Sequence, residues 1–227
     1  MELPWHGYNE KALSAQKQTL GAVPTCAAAC GNIRQVPVLN PPRAPRPAVF
    51  LDRDGTICEE VGYLNHVSRL QIYPHTAGAI RRLNEAGVPA IVVTNQSGVS
   101  RGMFPESLVT EVHRKITEEL AASGARLDGF YYCTHTKADE CNCRKPLPGL
   151  LERAARDHDI DLSRSFVVGD RYGDVELAHA AGGRGVLVLT GYGSGDYEYH
   201  RQEWARQPDW VLPDLAAAVD VILKELQ

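Results

Sequence analysis

Two aspartates one residue apart, in the run VFLDRDGT, are the first residues whose types and spacing could do chemistry. In an extended segment Asp52 and Asp54 lie on the same side, and the glycine that follows lets the chain turn sharply beside a ligand. IVVTNQSG then supplies Thr94 and Asn95, and FVVGDRYGD supplies Asp170. Paired carboxylates that share a site with a phosphate suit magnesium, which takes few protein oxygens and keeps substrate oxygens and waters. With its charge partly neutralised, Asp52 could attack a phosphate ester in line and form an aspartyl-phosphate. Asp54 could give a proton to the departing oxygen and later take one from water. Lys145, in CRKP, offers a compact positive charge for the transferring group, and Arg144 a fork for another part of the substrate.

A second group of ligating residues stands just upstream. Cys133-Thr-His135 and Cys141-Asn-Cys143 form two close pairs of sulfur and nitrogen donors, a full tetrahedral set for zinc with no open position. Such a zinc would be structural. Its place directly before Arg144 and Lys145 predicts that it aims those two cations into the site. Cys26 and Cys30 have no comparable neighbours and read as ordinary small residues.

From Ala48 onward the chain alternates short β-branched runs with longer helical patterns, which predicts a Rossmann-like three-layer α/β/α domain with a parallel sheet. Strands are expected at 48–52, 89–94, 129–133, 166–170 and 185–190. The first, second and fourth are continuous apolar runs, as in strands buried on both faces. Leu108, Val112, Ile116 and Leu120 predict a helix begun near Pro105, with weaker helical spacing at Ile80 and Leu83, Leu150 and Ala154, and Leu215, Val219 and Leu223. Asp52, Thr94 and Asp170 each end a strand, so the C-terminal edge of the sheet gathers them at one site. Residues 1–47, closing in PVLNPPRAPRP, are expected to be an N-terminal extension, and 48–227 one domain.

The four ordered motifs DRDGT, the Thr of VVTNQSG, the Lys of CRKP, and GDRYGD resemble those of the haloacid-dehalogenase-like phosphatases. The resemblance implies Asp52 as nucleophile and metal ligand, Asp54 as acid/base and metal ligand, Thr94 and Lys145 as phosphoryl binders and Asp170 as a further magnesium ligand. Asp174 fits the second acidic position of the last motif, with either the lysine or the metal as its partner. The short intervals between motifs leave no room for a separate cap domain. GYL, TNQSGVSRG and CRKPLPG are similar to the bacterial D-glycero-D-manno-heptose 1,7-bisphosphate phosphatases, which remove the C7 phosphate on the way to lipopolysaccharide. That likeness adds Glu60, Gly62, Tyr63, Asn95, Gln96, Ser97, Arg144 and Arg171 as substrate contacts. The clip THTKADECNCRKP is similar to that of histidinol-phosphate phosphatases, the alternative substrate class. A non-catalytic zinc-clipped binding protein is the reading from another class, and it would be free to lose Asp52, Asp54, Lys145 or Asp170, all of which are present.

Composition narrows the partners. A net charge of -4 and the absence of a Lys/Arg block argue against nucleic acid. No stretch has the length and apolarity of a membrane span, and the N-terminus MELPWHGYNEKALSAQ lacks the basic head and apolar core of an export signal. A cytoplasmic monomer acting on a small phosphorylated metabolite is expected. The run Gly191-Tyr-Gly193-Ser-Gly195 lacks a convincing following helix and is not read as a dinucleotide loop.

Overall fold

The computed structural model describes residues 44–227; residues 1–43, with Cys26, Cys30 and nearly all of the expected N-terminal extension, lie outside the described residues. Six parallel strands form one sheet in the order β3-β2-β1-β4-β5-β6, where β1 is Val49–Leu51, β2 Ala90–Asn95, β3 Gly129–Cys133, β4 Phe166–Gly169, β5 Arg184–Val188 and β6 Trp210–Leu212. The central three pair in register, Phe50 with Ile91 on one side and Val167 on the other. Their apolar runs are explained by burial on both faces: Val49, Phe50 and Leu51 face two separate core layers.

Helices α1 (Thr76–Glu85), α2 (Glu106–Ala122), α3 (Gly149–His158), α4 (Tyr172–Ala180) and α5 (Gly193–His200) connect successive strands, and α6 (Leu215–Glu225) follows β6. One layer is built from Ile80, Leu83, Val112, Ile116, Val219 and Ile222, the other from Leu150, Leu151, Ala154, Leu177 and Ala178. The first fills with apolar stripes that the spacing predicted, and so does the α3 part of the second, while Leu177 and Ala178 come from α4. Pro105 is extended and precedes α2 as its N-cap, one position earlier than a first-turn proline. Between β1 and β2 there are only a short 3-10 turn and α1, and between β2 and β3 only α2, so no cap domain is inserted. Arg46, on the extension side of the expected boundary, is already tied to the domain by backbone hydrogen bonds with Asp159 and Asp161, each 3.0 Å.

Three elements escape the periodicity. β6 is only three residues long, α4 is buried along most of its girth, and α5 buries little beyond Gly193. None carries the one-sided apolar stripe that sequence patterns detect. α5 also corrects the expectation for the Gly191 run, because a helix does begin inside it, at Gly193.

Candidate active site

The strand order reverses at β1, with β2 on one side and β4 on the other, and the chain ends of these strands open onto one cleft of about 480 Å³. Asp52 follows β1, Thr94 and Asn95 end β2, and Asp170 follows β4. Lys145 arrives from the loop after β3. Its ammonium lies 2.9 Å from Asp52 Oδ1 and 2.6 Å from Asp174 Oδ1, and it donates to the Val93 carbonyl at 3.1 Å. Burial opposes the charge on Lys145, but Asp174 and Asp52 more than offset it and hold the ammonium well above the usual lysine value. Asp174, whose partner the sequence left open, is therefore bonded to the lysine. It also closes the first turn of α4 by accepting from the Arg171 backbone N–H at 3.3 Å.

Asp52, Asp170 and Asp174 place carboxylate oxygens within 4.8 Å of one another. Asp170 is set by two glycines with left-handed backbones, Gly55 (φ 76°) and Gly191 (φ 52°): a Cβ on either would stand 2.1–2.2 Å from Asp170 Oδ2. That oxygen accepts from the Tyr192 backbone N–H at 2.8 Å, while Oδ1 is buried with no hydrogen-bond partner. Burial first, then Asp52 and Asp174, push the Asp170 carboxyl up to about 8. An orphaned, buried carboxylate oxygen beside a second carboxylate fits a hard divalent cation such as magnesium, which would satisfy that oxygen and relieve the repulsion.

Asp54 faces the same cleft. Its carboxylate is held from behind by Arg53, which sequence reading passed over, and by Gln96, whose Nε2 donates to Asp54 Oδ2 at 2.9 Å and to Thr94 Oγ1 at 3.1 Å. Glu60, Gly62, Tyr63, Asn95, Gln96, Ser97, Arg144 and Arg171 all line the cleft, and so do Lys137, Phe104, Tyr172 and Asp196, which the motifs did not point to. Glu60 accepts from the Gly62 backbone, and burial followed by the nearby Asp54 and Asp52 raises its carboxyl. Arg171 pairs with Asp196 at 3.2 Å and stacks 4.2 Å over the Tyr192 ring. Asn95 is turned toward the backbone of Lys145 and not only toward the cleft.

The predicted clip also comes together. Cys133, His135, Cys141 and Cys143 bring one ligand atom each within 4.8 Å of the others. Five of the six edges of that tetrahedron measure 3.1–3.7 Å. Bonds of about 2.0–2.3 Å to a central zinc would set edges of roughly 3.3–3.8 Å. Burial, reinforced by Cys143, pushes the Cys133 thiol up to about 12. At Cys141 burial acts the same way, but donors from Arg144 and Cys143 outweigh it and bring the group down to about 7. Three crowded sulfurs of this kind become thiolates together only around a cation. The clip is connected to the cleft at two points: Arg144 Nη1 donates to the His135 carbonyl at 3.0 Å, and the Gln96 backbone N–H donates to the Cys133 carbonyl at 2.7 Å.

Comparison with known proteins agrees with this geometry. A chain from Thermosynechococcus vestitus named D-glycero-D-manno-heptose-1,7-bisphosphate 7-phosphatase is 46% identical over 193 residues, 80% of this chain and 98% of that one. This chain belongs to the haloacid-dehalogenase-like phosphatases. The family model described as HAD-hyrolase-like matches residues 142–218 of the phosphatase. The D-glycero-beta-D-manno-heptose-1,7-bisphosphate 7-phosphatase of Escherichia coli K12 is 38% identical over 188 residues, 79% of the phosphatase and 95% of the relative. Among solved structures, the D,D-heptose 1,7-bisphosphate phosphatase of B. bronchiseptica, complexed with magnesium and phosphate, superposes with a TM-score of 0.73 at 33% identity, covering 79% of this chain and 99% of that one. The enzyme is a phosphoric monoester hydrolase, and no helix among its described residues is long and apolar enough to cross a membrane.

Proposed function

We propose that this phosphatase removes the C7 phosphate of D-glycero-D-manno-heptose 1,7-bisphosphate through an aspartyl-phosphate on Asp52. The observation that carries the chemistry is the Lys145 ammonium, buried between Asp52 and Asp174 at the mouth of β1, beside the unpartnered oxygen of Asp170. The substrate assignment draws on the relatives named for that activity, at 38–46% identity over four-fifths of the chain.

In the proposed reaction Thr94 and Lys145 hold the phosphoryl oxygens while an oxygen of Asp52 attacks phosphorus in line. The bond from phosphorus to the C7 oxygen breaks, and Asp54 gives that oxygen its proton. Asp54 then takes a proton from the water that attacks the phosphorus of the aspartyl-phosphate, and inorganic phosphate leaves with the Asp52 carboxylate restored. Magnesium, held by Asp52, Asp170 and the backbone of Asp54, would neutralise charge on the phosphoryl group. Glu60, Gly62, Tyr63, Asn95, Gln96, Ser97, Arg144 and Arg171 would surround the rest of the sugar phosphate. A structural zinc in the Cys133–Cys143 clip would hold the loop carrying Arg144 and Lys145. The proposed setting is the cytoplasm, where thiols stay reduced and available as ligands, with the enzyme acting as a monomer.

A phosphate-release screen over both anomers of the heptose bisphosphate, with histidinol phosphate alongside, tests the substrate. Preference for a heptose bisphosphate is expected, and efficient turnover of histidinol phosphate alone would overturn it. Asp52→Asn is expected to abolish release with the fold intact; turnover at the wild-type rate would refute the covalent route.

A further inference from the structure

Among the described residues Arg53 is one of the largest buried side chains, at 2% exposure, and the only carboxylate that pairs with its guanidinium is Asp54. Nε and Nη2 donate to Asp54 Oδ1 at 3.1 and 2.9 Å, and Nη2 also donates to Oδ2 at 2.7 Å. Gln96 reaches Oδ2 from the Thr94 side, and the Cys58 thiol lies 3.8 Å from Oδ1. Burial first, and then the Asp54 charge, raise Cys58 well above the usual thiol value, so it stays a donor. Arg53 itself does not line the cleft, whereas Asp54 does. The cation therefore meets the acid/base carboxylate from behind and cannot meet the substrate.

A planar guanidinium bonded to a carboxylate at two points fixes the plane of that carboxylate as well as its position. A general acid gains its effect only when its oxygen is aimed at the departing atom, and a displacement of about 1 Å can cost roughly 10²-fold in rate. We propose that Arg53 is a positioning residue that sets the angle at which Asp54 meets the leaving oxygen; this rests on the reading of Asp54 as the proton donor given above. Lysine keeps the charge but has no fork, so Arg53→Lys separates orientation from electrostatics.

The test compares kcat/KM for a primary alkyl phosphate, whose leaving oxygen needs a proton, with that for p-nitrophenyl phosphate, whose leaving group departs as a stable anion. This parameter covers the steps through departure of the leaving group and omits hydrolysis of the aspartyl-phosphate. Arg53→Lys is expected to lose about 10²-fold on the alkyl ester and only a few-fold on the aryl ester. Adding it to Asp54→Asn is expected to cost nothing further on the alkyl ester. Equal losses on both esters, or an additional loss in the double variant, would overturn the proposal, because a merely structural ion pair acts on both substrates alike. Arg53→Gln, read the same way, serves where the lysine variant does not fold by circular dichroism. Asp54→Asn alone separates the two readings. If it shows no alkyl-selective loss, the role of Asp54 has failed; if it does and Arg53→Lys does not, only the role of Arg53 has.

Discussion

Asn95 and Lys145, fifty residues apart, are joined by two reciprocal hydrogen bonds: the Asn95 amide donates to the Lys145 carbonyl at 3.3 Å, and the Lys145 backbone N–H donates to Asn95 Oδ1 at 3.1 Å. The end of β2 thereby locks the loop that carries the Lys145 ammonium into the cleft. A residue expected to touch substrate is also a clamp on another active-site residue. Asn95→Ala is expected to lower kcat/KM by about 10²-fold through misplacement of Lys145, equally for the heptose bisphosphate and p-nitrophenyl phosphate. A loss confined to the sugar substrate would make Asn95 a sugar contact instead.

Gly191 lies far along the chain from the first aspartates, yet a methyl group on it would meet Asp170 Oδ2 at 2.2 Å. Gly191→Ala is therefore expected to push Asp170 out of its place and to raise the magnesium needed for half-maximal activity by about 10- to 100-fold. Titrating activity against magnesium in both proteins reads this directly. An unchanged magnesium requirement would mean that Asp170 is not the ligand proposed.

Metal analysis of the purified protein should find about one zinc per chain, as a tetrahedral set with no open position requires. Stripping it with a zinc-selective chelator at saturating magnesium is expected to lower kcat about 10- to 100-fold as well as Tm. The reason is local: the His135 carbonyl anchors Arg144, and the Cys133 carbonyl anchors Gln96. Full activity in zinc-free protein would reduce the clip to a staple with no bearing on catalysis.

His113 gives the fold an acid-sensitive point outside the cleft. Its ring stacks 4.4 Å from that of Phe130, and its Nε2 is buried without a partner. Burial first, and then the Arg53 charge, bring the imidazole down from 6.5 to about 3. Between those values the unfolded chain binds the proton and the folded protein does not, so stability falls as pH drops below about 6.5. At pH 5 the loss from this group is about 2 kcal/mol. Urea denaturation of His113→Phe should show a gain over wild type that is larger at pH 5 than at pH 8 by that amount. A gain that does not change with pH would show that the folded protein accommodates the charged ring.

The apolar runs around Phe50, Ile91 and Val167 determined the centre of the sheet, because a strand buried on both faces admits no polar alternation. Once those strands are parallel, the polar residues after each must share one edge, so Asp52, Thr94 and Asp170 were legible from order alone. The close Cys and His pairs made the clip legible for the same reason: spacing of one residue leaves their ligand atoms little choice of neighbours. Relationships between distant segments were not legible. Whether Asp174 meets Lys145, whether Asn95 faces the sugar or a backbone, and what Gly191 packs against depend on how loops from different crossovers meet above the sheet. Arg53 is a different case, a pairing of chain neighbours whose burial the linear string does not show. Sequence reading passes over it between its two aspartates; in the fold it is buried, with Asp54 as its carboxylate partner. Burial makes that pairing necessary, and burial is a property of the assembled fold.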